Sequence, residues 1–114
     1  MAVLKPRRGE VWWVRFDPSI GTEIQKTRPA IIVSNNISNK HLDRFQVVPI
    51  TSQTAKVHPG ECLVQIQDQI CKALIDQIRT VSKNRLSKKI VDMSESDIEI
   101  VNEVLVLQLG LKTR

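Results

Sequence analysis

Few residues in this 114-residue chain have both a reactive type and a setting that could use it. Arg28 ends the polar stretch 21–27 (GTEIQKT) and stands directly before Pro29. A proline biases its predecessor towards extended backbone, so Arg28 is expected on a stiff support. Arginine offers a planar fork to phosphate oxygens, where lysine offers only a point charge. The competing reading is a solvated arginine beside a turn. Thr51, Ser52 and Gln53 leave the apolar run 45–50 (FQVVPI), which puts hydroxyl and amide groups at a strand end. Asp76 and Gln77 lie among apolar neighbours in ALIDQIRT, and strand alternation would aim them at opposite faces. For Asp76, a structural hydrogen bond to loop backbone and a substrate role both stand open.

Other chemistries have no support in the pattern. GxGxxG, phosphate-loop, HExxH and GxSxG motifs are absent. His41 and His58 fall in loop-like surroundings, and nothing in their spacing pairs them for acid–base work. Cys62 and Cys71 form neither a CxxC nor a Cys/His cluster. They are expected as reduced thiols, with a hairpin disulfide as the alternative. No metal or other cofactor is expected. Trp12 and Trp13 are consecutive on a strand and must face opposite ways. One is expected in the core, and a stacking surface for an unpaired base or an interface anchor stands open for the other; with only four aromatic residues to fill the interior, core or interface is the expected fate of each.

The elements that must position these groups read as mainly β. Segments 10–16 (EVWWVRF), 29–34 (PAIIVS), 45–52 (FQVVPITS), 61–66 (ECLVQI), 72–82 (KALIDQIRTVS) and 88–93 (KKIVDM) read as strands between turn signals. Pro49 inside the third suggests an edge position or a bulge. Ser96-Asp97-Ile98-Glu99 fits a capping box for a helix reaching Leu109, with Ile98, Val101, Leu105 and Leu109 on one stripe. Short connections argue against a parallel βαβ sheet, and a small, strongly bent sheet or barrel with one C-terminal helix follows. A single domain spanning 1–114 is expected. Seventeen Lys and Arg against twelve Asp and Glu leave a charge of +5, which favours an anionic partner. MAVLKPRRGE lacks a signal-like apolar stretch and no run reaches membrane-spanning length, so the cytoplasm, with no membrane association, is expected.

Taken in order, RRGEVWWVRFDPSIGTEIQKTRPAIIVSNN, VVPITS and DQIRTVSKNRL resemble the MazF/PemK family of toxin endoribonucleases, and the closing helix ending in LGL fits as well. The resemblance implies an SH3-like barrel of the plasmid-toxin (PemK/CcdB-like) type with a C-terminal helix, built as a homodimer. It implies metal-independent cleavage of single-stranded RNA, usually mRNA, at short motifs. It also implies a cognate antitoxin whose acidic tail occupies the RNA groove, and DNA association through the antitoxin complex. Carried over position by position, the catalytic residues fall on Arg28 and Thr51. The mobile RNA-facing loop falls on 21–27, with Glu23, Gln25, Lys26 and Thr27 as substrate contacts. Ser52, Gln53, Asp76 and Gln77 complete the expected groove.

Two departures stand out. Many relatives place Gln directly after the loop glutamate, where this chain has Ile24 and brings Gln25 one place later. The histidine and arginine of some plasmid-borne relatives are replaced by Thr22 and Leu74, so a His/Arg/Asp scheme does not apply. The implied reaction is attack of a ribose 2′-OH on the adjacent phosphorus, giving a 2′,3′-cyclic phosphate and a 5′-OH. Two other classes compete. A gyrase poison of the same fold would end in a Trp-Gly-Ile-type segment, whereas this chain ends Leu111-Lys112-Thr113-Arg114. An SH3-like binding module would need an aromatic-lined groove, and there is no tyrosine.

Overall fold

Alternation along the first strand, β1 (Glu10–Arg15), divides the interior in two. Val11 joins one core, here the outer core; Trp12, Val14 and the following Phe16 join the other, the inner core. The split continues through β2 (Thr27–Ile32), with Ile31 opposed to Ala30 and Ile32. In β3 (Arg44–Thr51), Val48 and Ile50 oppose Phe45 and Val47. Both faces of the central strands are therefore buried, which is why these segments read as nearly continuous apolar runs. The structure is a computed structural model, and it describes residues 5–112. The first four residues of MAVLKPRRGE, and Thr113 and Arg114 of the chain's ending, lie outside the described residues.

The sheet has seven strands in the order β4-β5-β3-β2-β1-β7, and β6 also pairs with β3. The remaining strands are β4 (Glu61–Ile66), β5 (Gln69–Leu74), β6 (Arg79–Ser82) and β7 (Leu86–Asp92), and every pairing is antiparallel. β3 is internal, not an edge. Its first half, Arg44 to Val47, pairs with β6, and Ile50 and Thr51 pair with β5. Pro49 falls between these two partners, where a missing N–H interrupts neither ladder.

The expected strand 72–82 is three pieces. β5 ends at Leu74, a 3₁₀ turn covers Ile75–Gln77, and β6 restarts at Arg79. The chain must drop from the end of β3 back to its beginning, and the turn makes that shift. Asp76 and Gln77 consequently sit on a turn and do not alternate across a strand. A short helix, α1 (Asn36–His41), was not expected from its weakly helical sequence. Asn35 caps it by accepting from the Ser38 N–H at 2.9 Å, and buried Asn39 donates to the Ser34 carbonyl at 2.8 Å. Tertiary anchoring replaces propensity there.

The closing helix, α2 (Glu95–Gln108), begins one turn signal earlier than Ser96 suggests. Its cap is Ser94, whose hydroxyl accepts from the Asp97 N–H at 3.2 Å. Asp97 does not close a box; its carboxylate accepts from the Gln65 N–H at 2.8 Å and ties the helix to β4. Val101 is buried, and Ile98, Val104 and Leu105 pack on the outer core beside it. Leu109 leaves the stripe and is 52% exposed. Gly9 has φ +90°, and a Cβ there would lie 2.7 Å from Ile98 Cδ1, so α2 approaches β1 only over a glycine. Arg8 locks the arrangement, donating to the Val33 carbonyl at 2.9 Å and to Asn102 Oδ1 at 2.6 Å. Among the described residues no helix is long and apolar enough to cross a membrane.

Candidate active site and nucleic-acid groove

Arg28, near the start of β2, and Thr51, the last residue of β3, line the same cavity. The consecutive pairs Ile32–Val47, Ile31–Val48 and Ala30–Pro49 bring these two strand ends together. Both side chains are partly buried. Arg28 Nε donates to the Gln25 carbonyl at 3.2 Å, and Thr51 Oγ1 accepts from the Gln53 N–H at 3.2 Å. Among the described residues no carboxylate forms an ion pair with Arg28.

A cavity of about 350 Å³ opens at this edge, with Thr27, Arg28, Thr51 and Ser52 on its rim. Ile50, Ile66 and Cys71 form an apolar floor, and Trp13, Pro29 and Ile90 line it further. Gln67 and Gln69 reach it from the β4–β5 hairpin. Trp12 is 4% exposed while Trp13 is 39% exposed, as alternation requires. Trp13 is paired with Pro29, so the two share a face of the sheet.

A second cavity, of about 430 Å³, lies under the β1–β2 loop and is lined by Thr22, Glu23, Ile24, Asp76, Gln77, Ile78 and Arg79. Gln77 Oε1 accepts from the Ile24 N–H at 2.7 Å, so its side chain pins the loop rather than reaching into open space. Ile24 packs against the inner core, which makes the departing residue the loop's apolar anchor. Lys26, at φ +67°, donates its N–H to Asp17 Oδ1 at 2.9 Å, and Glu23 Oε1 accepts from the Ile20 N–H at 2.6 Å. Asp76 is exposed, and its N–H donates to the Gly60 carbonyl at 3.1 Å. Its carboxylate thus remains available.

The expected site residues therefore divide between two openings. Thr27, Arg28, Thr51 and Ser52 gather at the first, and Glu23, Asp76 and Gln77 at the second. Gln25 and Lys26 enter these contacts through backbone, and Gln53 through its N–H to Thr51. His58 is in the turn before β4, where its N–H donates to Glu61 Oε1 at 2.9 Å, and His41 closes α1. Residue types had not singled out Gln67, Gln69, Ile90 or Arg79. The available signal was QDQ between two strands: Ile66 pairs with Gln69, leaving a two-residue hairpin loop with Gln67 at φ +55°.

The cysteines are free, and their register explains why. Cys62 pairs with Ala73 and Cys71 with Val64, which makes them diagonal neighbours. Burial pushes both thiols above their ordinary pKa, and for Cys62 the nearby Asp97 adds to the shift. Glu61 shows the opposite balance. Burial alone would raise it, but the His58 N–H and Lys72, 3.1 Å away, hold it below its ordinary value. Among the described residues, no group of three or more His, Cys, Asp or Glu is placed to hold a metal ion.

Comparison with known proteins meets this geometry with a family model described as the PemK-like, MazF-like toxin of type II toxin–antitoxin systems, matched over residues 7–109. The chain belongs to this family. Endoribonuclease MazF9 of Mycobacterium tuberculosis is 39% identical, with 92% of this chain and 97% of that protein covered. Endoribonuclease MazF of Staphylococcus saprophyticus is 32% identical, with coverage of 94% and 93%. Among solved structures, MazF from Deinococcus radiodurans superimposes with a TM-score of 0.85 at 25% identity, covering 96% of this chain and all of the other. A mycobacterial endoribonuclease in complex with its cognate antitoxin has the same fold, with a TM-score of 0.80 at 24% identity, covering 96% of this chain and 99% of that one. The bent sheet closed by a C-terminal helix is thus the MazF architecture.

Proposed function

We propose that this MazF-family chain is the toxin of a type II toxin–antitoxin pair, acting as a metal-independent endoribonuclease on single-stranded RNA. The observation that carries the reading is that Arg28 and Thr51 line one polar-rimmed cavity. The substrate supplies its own nucleophile. A ribose 2′-OH attacks the neighbouring phosphorus, the P–O5′ bond breaks, and a 2′,3′-cyclic phosphate and a 5′-OH form. Arg28 clamps the non-bridging oxygens as charge builds on them, and the Thr51 hydroxyl orients the phosphate or the 2′-OH. A guanidinium stays protonated near neutrality, so it is a poor acceptor for the 2′-OH proton. A water takes that role, since Asp76 lines the other opening.

The loop that carries Glu23, Gln25, Lys26 and Thr27 forms the RNA-facing flap over Asp76 and Gln77, and Ser52 and Gln53 extend the groove. The charge of +5 suits both an RNA and the acidic tail of an antitoxin. Exposed Leu107, Leu109 and Leu111 at the end of α2 suit a homodimer seam, and the cytoplasm suits an enzyme of mRNA. The deciding experiment incubates purified protein and EDTA with a long RNA and maps the 5′ ends. Discrete EDTA-resistant cuts that vanish in Arg28→Ala support the assignment; no cleavage across diverse RNAs overturns it.

A further inference from the structure

We propose that the cavity beside the Arg28–Thr51 edge is a base-recognition subsite. One unpaired base flanking the scissile phosphate stacks on Trp13, and the side-chain amides of Gln67 and Gln69 read its edge. The inference rests on the RNA-cleaving reading above and deepens it.

The composition of the cavity separates a base from a phosphate. Its floor of Ile50, Ile66 and Cys71 is apolar, and Arg28 at the rim is the one charged residue in the lining. Phosphates go to that arginine; the interior fits a neutral, flat group with a polar perimeter. Trp13 meets the first need. It is 39% exposed on a core strand, although its neighbour Trp12 is sealed. Unpaired bases stack on exposed aromatic side chains such as this one, because every base has a π-face.

The glutamines meet the second need. An amide carries both donor and acceptor, which suits an edge of the same mixed kind. Neither the Gln67 nor the Gln69 side chain has a hydrogen-bond partner among the described residues, while their backbone is restrained. Gln65 Nε2 donates to the Gln67 carbonyl at 3.3 Å, and the Gln65 N–H is held by Asp97 of α2 at 2.8 Å. The two-residue turn fixes the hairpin tip further. Amides presented from a restrained hairpin onto an aromatic wall make a reader, and the hairpin sequence Gln67-Asp68-Gln69 becomes a determinant of cutting specificity.

The test compares wild type, Trp13→Ala, Trp13→Phe, Gln67→Ala and Gln69→Ala on one long RNA. Trp13→Ala is expected to lower kcat/KM about tenfold to a hundredfold, chiefly through KM, and Trp13→Phe to recover most of the loss. Each glutamine variant is expected to relax base preference at a position flanking the cut while leaving its place in the backbone unchanged. An unchanged KM and motif in Trp13→Ala overturns the proposal. So does a change of oligomeric state in Trp13→Ala that Trp13→Phe repairs without restoring the motif. If wild type cuts no RNA, the functional reading fails, and the subsite is then judged by binding alone. Quenching of tryptophan fluorescence in wild type by short unpaired oligoribonucleotides, with Trp13→Phe as the blank, supports it; no quenching overturns it.

Discussion

Arg28 owes its value to what surrounds it. Pro29 stiffens the backbone, Thr51 at the end of β3 lines the same cavity, and the Gln25 carbonyl takes its Nε at 3.2 Å. That leaves the terminal nitrogens of a fixed fork for two phosphate oxygens. Arg28→Lys keeps the charge and loses the fork, so its single-turnover cleavage rate is expected to fall about 10²–10³-fold, the usual scale for losing one oxyanion donor. Near-wild-type cleavage by that variant sinks the geometric argument. Glu10 is a structural counterpart. The residue is 8% exposed, and its carboxylate accepts from the Arg7 N–H and Trp12 Nε1 at 2.9 Å each and pairs with Lys89 at 3.2 Å. Glu10→Ala strands the indole N–H of a buried tryptophan, which costs about 1–3 kcal/mol. Urea unfolding should show a lower midpoint at unchanged slope, with no change in the RNA motif.

At the scale of elements, β1, β2 and β3 were legible because their middles are apolar runs buried on both faces, and period-two alternation then assigns the two cores. The Arg28 and Thr51 ends followed from those strands. The break inside 72–82 was not legible, since Ile75 and Ile78 continue the apolar pattern through the turn. Only the division of β3 between two partners requires it. Gln77 was expected as a groove contact; it lines the second cavity and its Oε1 also holds the loop, a commitment residue type does not reveal. Gln77→Ala should therefore loosen the β1–β2 loop. Amide exchange at Ile24 is expected to accelerate, while α2 keeps its protection; unchanged exchange at Ile24 refutes the latch. The β4–β5 hairpin gives a chemical prediction. Diagonal strand positions lie about 7–8 Å apart, beyond the usual span of a disulfide. Under mild oxidant the folded protein should retain two titratable thiols, and an intramolecular crosslink between Cys62 and Cys71 in the native state contradicts the register.

For the whole molecule, the unresolved contrast is between a well-covered sheet and a partly bare helix. α2 buries Val101 against the outer core, yet its last turn and the residues beyond show Leu107 at 78% exposure, Leu109 at 52% and Leu111 at 57%. Scattered apolar residues on a surface need no explanation, but these gather at one end of one element. Val106 and Leu107 share a shallow opening with Asn102 and Glu103, and Leu109 and Leu111 flank another with Val33 and Leu105. In the proposed homodimer a second copy would bring a matching apolar end, because a two-fold interface uses the same patch twice. Leu107 makes the sharpest probe, since its side chain is largely in solvent and its loss leaves the sheet untouched. Leu107→Glu is expected to shift sedimentation from dimer to monomer at micromolar concentration while the circular dichroism spectrum stays the same. A dimer that persists in Leu107→Glu moves the seam off α2, and a wild type that sediments as a monomer removes it.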